Sequence, residues 1–326
     1  MEDQLMDGYD VVVVGGGAAG LSGALMLARS RRSVVVIDAG TPRNAPAEGV
    51  HGLLARDGMP PAELLDRGRA EVRGYGGQVV AGQVTSAKHD GDGFAVTLGD
   101  GRVVRARRLL VATGLADELP GVPGLRDRWG RDVVHCPYCH GWELRDQPLA
   151  FLILRPADVF LGLKLTHLSS DVVGLLNGTP DPPPAQQEML REAGITLRAE
   201  PIARLADDGD RLRQVIFTGG TYLDRAGLFV HPPARQAAPF AASLGCDMLP
   251  DGIVAVDDLG RTSVPGVYAA GDMGRRPAMP IPGQLVAVAA AAGTLAAVAA
   301  DQELLLADTG APLPWPASVG SDPESG

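Results

Sequence analysis

The run Val11-Val-Val-Val-Gly15-Gly-Gly17-Ala-Ala-Gly20 constrains this chain more than any other segment. Four consecutive valines read as a buried strand, and the Gly15-x-Gly17-x-x-Gly20 spacing opens a helix that runs to about Arg29. A second apolar strand follows from Ser33 to Ile37 and ends on Asp38. In a βαβ start of this kind the first glycine makes the turn and the second lets the backbone approach a pyrophosphate. The third lets the helix pack on the sheet, and the helix N-terminus at Ala18 and Ala19 faces the phosphates. Asp38 is placed to accept hydrogen bonds from ribose hydroxyls. The spacing predicts a dinucleotide site but does not separate one dinucleotide from another.

At 326 residues the chain exceeds what one core usually supports, so two domains are expected. The net charge of −10 comes without a basic block, which argues against nucleic acid or an anionic membrane surface as partner and leaves small molecules. The polar residues Met1 to Gly8 and the short apolar run after them do not read as a signal peptide or anchor, so a cytoplasmic setting is expected. The Ala-rich stretch Leu285 to Ala300 is shorter than a membrane span and reads as a buried helix. Alternating segments from Gln78 to Val111 read as an antiparallel insertion returning to a core strand, and a second αβ pattern runs from Leu149 to about Thr218. The fold expected is α/β with two Rossmann-like three-layer domains. One is split between residues 1–116 and 225–326; the other, 117–224, is inserted between its halves. The Pro-, Gly- and Ser-rich residues 309–326 are expected to form a mobile tail.

The most informative segment is His135-Cys136-Pro-Tyr-Cys139-His140-Gly-Trp-Glu143. Taken literally, Cys-x-x-Cys-His is a haem-attachment signature, but the chain offers no export signal or distal ligand segment. A zinc site would need a second ligand pair, and no other Cys knuckle or His-x-x-x-His occurs, so no metal is expected. The third reading is a dithiol–disulfide couple at a helix start, where the dipole favours a thiolate. Cys246, far from the pair, reads as a small buried side chain.

Two further motifs carry a resemblance. Gly266-Val-Tyr-Ala-Ala-Gly271-Asp272 resembles the second flavin motif of the pyridine nucleotide-disulfide oxidoreductases, and Val111-Ala-Thr113-Gly114 resembles their connecting motif. The resemblance implies FAD, with the Asp272 carboxylate on the ribityl chain. It also places backbone donors at Gln284 and Leu285 by the flavin pyrimidine edge, with Arg43 and His51 as further cofactor contacts. Nearly the whole chain resembles the low-molecular-weight thioredoxin reductases, which implies a homodimer. It further implies that Cys139 lies beside the flavin C4a as charge-transfer thiolate, while Cys136 faces substrate. Those reductases carry an Asp after the second cysteine; here His140 stands there, with Glu143 three residues on. The extended Cys-Pro-Tyr-Cys-His-Gly-Trp-Glu run looks like the subgroup of dithiol oxidases that close disulfides in natural products of the holomycin and gliotoxin type. His140 and Glu143 are then candidates for proton transfer, a small-molecule dithiol is the expected substrate, and O2 the expected acceptor.

The insert departs from the reductase pattern. Arg155-Pro-Ala-Asp-Val-Phe follows the strand Leu149 to Leu154, with no glycine before Gly162 and with Pro156 removing an amide. After the next strand, Asn177-Gly-Thr-Pro-Asp-Pro-Pro-Pro offers no cation for a 2′-phosphate. Loss of NADPH binding is expected. The competing expectation is an NADPH-dependent disulfide reductase with an unusual pocket.

Overall fold

The computed structural model describes residues 5–279 and 283–311. Strand Gly8–Val14 lies parallel to Val34–Asp38 on one side and to Val103–Val111 on the other, with Val14 level with both Ile37 and Val111. Gln78–Ala81 extends this sheet in parallel beyond Val34–Asp38, so the segment from Gln78 is divided: its first strand joins the main sheet. The ribbon Val84–Asp90 and Gly93–Leu98 is antiparallel and returns into the first half of Val103–Val111. The second half of that long strand pairs with Val267–Ala269, which brings the end of the chain into the same seven-stranded sheet.

Successive residues of a strand point to opposite faces. Val11 and Val13 accordingly enter one core and Val12 and Val14 another, so both faces of the sheet are covered. The insert repeats the pattern: Leu149 and Phe151 belong to one core, Ala150 and Leu152 to the other. Its five-stranded sheet has the order Thr196–Arg198, Val172–Leu175, Leu149–Leu152, Gly227–Val230, Val133–Val134, parallel throughout. An antiparallel ribbon of Ile202–Asp207, Leu212–Phe217 and Tyr222–Asp224 lies beside it. These are the two three-layer units expected.

The expected boundary at 224/225 is corrected, because Gly227–Val230 is an interior strand of the inserted sheet. The chain crosses between the halves where Leu115–Asp117 pairs antiparallel with Ala234–Gln236. The expectation of a short buried helix from Leu285 is corrected too. The helix spans Val286–Thr309, 24 residues, and by length and composition alone it could cross a bilayer. Its Gly293, Ala296, Ala297 and Ala300 are buried, and it packs closely on the helix Ala18–Arg29, while Val288, Leu295 and Leu305 are exposed. Of the tail expected at 309–326, Thr309 ends this helix and Gly310 caps it in the left-handed region, and residues 312–326 lie outside the described residues.

Candidate active site

The turn after Val14 is built from glycines that do different work. Gly15 has φ +104°, and a Cβ there would stand 2.4 Å from the carbonyl oxygen of Ala112. Gly16, a variable position in the motif, donates its N–H to Asp38 Oδ1 at 3.0 Å, and a Cβ on it would collide with that carboxylate at 2.6 Å. Gly20 packs so tightly that its Cβ would lie 1.9 Å from the Gly15 carbonyl oxygen. Gly17 differs: nothing lies within 4 Å of its Cβ direction, and no side chain caps the helix Ala18–Arg29 that starts there. Uncapped amides and open space at a helix N-terminus suit a phosphate.

This opening leads into a cavity of ≈ 320 Å³. Gly15, Gly17, Ala18, Ala19, Asp38, Arg43, His51, Thr113, Gly114, Gly271, Asp272, Gln284 and Leu285 line it, whereas Gly20 does not reach it. Of the four candidates around the cysteine pair, Cys139 and His140 reach the cavity, whereas Cys136 and Glu143 do not.

At its centre the Arg43 guanidinium donates to Asp272 at 2.9 Å, to Gln284 Oε1 at 3.0 Å and, through Nε, to Asp117 at 3.0 Å. Burial opposes its charge, but the two carboxylates outweigh burial and raise its pKa. Arg43 therefore ties together Asp117 just after the connecting motif, Asp272 of the second motif and Gln284 ahead of the last helix; Asp117 was not singled out from the sequence. Leu285 donates its N–H to the carbonyl oxygen of Gly283 at 2.8 Å, so the free amide expected there is engaged within the chain. The glycine turn, the Asp38 and Asp272 carboxylates and the open helix end together fit a flavin nucleotide. The carboxylates could hold its hydroxyls, and the amides after Gly17 its phosphates.

Cys136 and Cys139 are joined in a disulfide. Cys136 caps a single helical turn, Pro137–His140, and its sulfur accepts the N–H of Cys139 at 3.1 Å. One turn carries little macrodipole, so the helix start expected to favour a thiolate contributes less than a full helix would. Cys136 is only 8% exposed, which leaves little open face at the sulfur expected to meet substrate. Free Cys246 is buried, and burial raises its thiol pKa.

Burial, reinforced by the nearby His51, lowers the pKa of His140 against the opposing pull of Glu143. Both His140 ring nitrogens are buried without a hydrogen-bond partner among the described residues. The ring meets His51 edge to face, centroids 6.5 Å apart, and the Glu143 carboxylate lies 3.6 Å from His51 Nε2. Glu143 thus pairs with His51 and makes no hydrogen bond to the ring it was expected to orient. His135, stacked on Trp129 at 6.0 Å, also faces the cavity; burial, then Arg43, pushes its pKa down to about 4. Neither His135 nor Trp129 carried a sequence signal apart from adjacency to the cysteines.

The model of the pyridine nucleotide-disulphide oxidoreductase family matches residues 9–159 and 180–293. The thioredoxin reductase tcpT of Claviceps purpurea is 31% identical over 81% of this chain and 86% of its own length. The thioredoxin reductase sirT of Leptosphaeria maculans is 30% identical over 81% and 86%. The crystal structure of HlmI superposes with a TM-score of 0.87 at 41% identity, covering 95% of this chain and 96% of that one. With a cavity lined in part by Cys139 of the Cys136–Cys139 disulfide, the chain belongs to the pyridine nucleotide-disulphide oxidoreductase family and is a flavin-dependent, thioredoxin reductase-like thiol/disulfide oxidoreductase.

Proposed function

We propose that this protein is an FAD-dependent dithiol oxidase that closes an intramolecular disulfide in a small natural-product dithiol, with O2 as acceptor and H2O2 as product. The observation that carries this reading lies in the insert, at the turn where a reductase would seat NADPH. The amides of Leu154 and Arg155 donate to Asp158 Oδ2 at 3.0 and 3.1 Å. Asp158 is 1% exposed; burial opposes its charge, but His231 and these amides hold its pKa below the usual carboxylate range. A fixed anion therefore takes the donors that a pyrophosphate would need and repels it. After the next strand, Asn177 accepts the N–H of Ile202 at 2.7 Å and Thr179 donates to the carbonyl oxygen of Leu176, so that turn also serves the fold. Without a pyridine nucleotide, electrons enter from thiols.

In the proposed cycle a substrate thiolate attacks Cys136, forming a mixed disulfide and releasing Cys139 as thiolate. His140, neutral because of its burial, takes the proton of the second substrate thiol. The resulting thiolate closes the product disulfide and frees Cys136. FAD held by the glycine turn, Asp38 and Asp272 would supply the two-electron acceptor that lets the enzyme disulfide re-form, with O2 as the final oxidant. The low exposure of Cys136 means that substrate entry requires the Pro137–His140 turn or its cover to shift. A cytoplasmic homodimer completes the reading, and sedimentation of the purified protein tests the dimer. Anaerobic mixing tests the chemistry: a small dithiol such as dithiothreitol bleaches the flavin, and NADPH leaves it oxidised. Rapid bleaching by NADPH would make the protein a reductase instead.

A further inference from the structure

His51 was expected to touch the cofactor, and it does line the cavity, yet its nearest charged partner, Glu143, belongs to the cysteine site. It opens a loop that the backbone closes on itself: Val50 donates to the Met59 carbonyl oxygen and Gly58 to that of Val50, both at 2.8 Å. Asp57, on the same loop, accepts the Gly52 N–H at 2.8 Å and stands 3.7 Å from His51 Nδ1. On the other side His51 Nε2 faces the Glu143 carboxylate at 3.6 Å, and its ring abuts that of His140. Exposure rises along this row: the His140 ring nitrogens are sealed, the side chains of His51 and Glu143 are 21% and 41% exposed, and that of Asp57 is 71% exposed.

We propose that His51 is a positioning residue for the thiol chemistry, forming with Glu143 and Asp57 a proton path that sets the charge of His140 and connects it to solvent. This rests on the dithiol oxidase reading. Each substrate dithiol gives up two electrons and two protons. The electrons reduce the Cys136–Cys139 disulfide as the new S–S bond forms and the mixed disulfide breaks. The first thiol ionises in solvent before it attacks. The proton of the second passes to His140, whose ring nitrogens make no hydrogen bond among the described residues. It must leave before the next turnover, and the abutting His51 ring, with Glu143 on one side and Asp57 on the other, is the route on the page. The gaps of 3.6 and 3.7 Å are spanned by a small side-chain movement or by water.

The groups that face His140 act on it with opposite signs. A protonated His51 disfavours a second cation beside it, and Glu143 favours one; His135, on the same cavity, shares a mutual repulsion of positive charge with His140 that neither substitution below alters. Replacing His51 and Glu143 must therefore move His140 in opposite directions. In His51→Gln the His140 titration, followed by NMR of 13C-labelled histidine in the oxidised holoprotein, moves up by about half a unit or more, and in Glu143→Gln it moves down. The acid limb of kcat/KM for dithiothreitol-driven O2 consumption shifts with it. At neutral pH His51→Gln loses roughly tenfold or more in kcat, on the low side of direct acid–base catalysis. Asp57→Asn, changed at the solvent end, slows kcat but not the anaerobic bleaching of the flavin in a single turnover, and it serves should His51→Gln lose its fold. Folded variants in which His140 titrates as in the wild type, with unmoved acid limbs, would overturn the relay. A wild type that fails to oxidise dithiothreitol would refute the oxidase reading alone, since the NMR titration still decides whether His51 governs His140.

Discussion

His135 shows how one side chain links the site to the stability of the fold. Its ring is buried against Trp129, and its pKa is pushed down to about 4, first by burial and then by Arg43. In the unfolded chain the same imidazole binds a proton near pH 6.5. Between those values only the unfolded state takes up the proton, so stability is full above about pH 6.5 and is lost as pH falls towards 4. The size is on the order of 3 kcal/mol for this one group, with His140 adding in the same direction. Urea unfolding followed from pH 7.5 to 4.5 should show this slope, and His135→Phe, which keeps a ring on Trp129, should flatten it. An equal slope in both proteins would place the acid sensitivity elsewhere. The sequence could not reveal this, because the shift depends on burial in the cavity wall and on Arg43, which is distant in the chain. The cysteines and His140, by contrast, were legible because their chemistry lies in five consecutive residues, Cys136 to His140.

Among the helices and turns, two glycines that look alike in the sequence have opposite structural roles. Gly17 has φ −77° and ψ −173°, a conformation that a β-branched residue adopts readily, and its Cβ direction is open. Gly17→Val should therefore fold with near-normal stability, yet place its side chain in the cavity and purify without flavin. Gly293 sits where the helices Ala18–Arg29 and Val286–Thr309 meet, and a Cβ there would stand 1.9 Å from the carbonyl oxygen of Ala19. The obstructing atoms are all backbone of Ala19, so Gly293→Ala must push the helices apart and cost about 3 kcal/mol or more. Comparing flavin absorbance with thermal midpoint separates them: the first variant loses colour, the second loses stability. A colourless Gly17→Val that is also unfolded would contradict the open geometry. The Gly15, Gly17 and Gly20 pattern was readable because its spacing between a strand and a helix is itself the signal of a nucleotide turn. Gly16 and Gly293 were not, because what excludes a side chain at each is Asp38 in one case and a helix at the other end of the chain in the other.

Across the whole molecule the apolar cores respect the division into halves: two clusters lie entirely within residues 122–230, and the other two draw only on what flanks the insert. The two Rossmann-like units were legible because each begins with a local strand and helix pattern. The exact crossing point was not, since Gly227–Val230 is short and local pattern does not say which sheet receives it. Topology does: it pairs with Leu149–Leu152 on one side and Val133–Val134 on the other, and Leu228, Phe229 and Val230 are fully buried. A fragment of residues 118–232 should then fold alone, with a cooperative urea transition and dispersed amide resonances. The fragment 118–224, cut at the boundary that composition suggests, lacks an interior strand. It exposes the inner edge of Leu149–Leu152 and strands Val133–Val134 without a neighbour. Unpaired backbone groups and the lost burial of three large side chains remove more than the few kcal/mol by which a domain of this size is stable, so it should be unfolded or aggregate. Equal folding of the two fragments would mean that Gly227–Val230 belongs energetically to the flavin-binding half, despite its place in the inserted sheet.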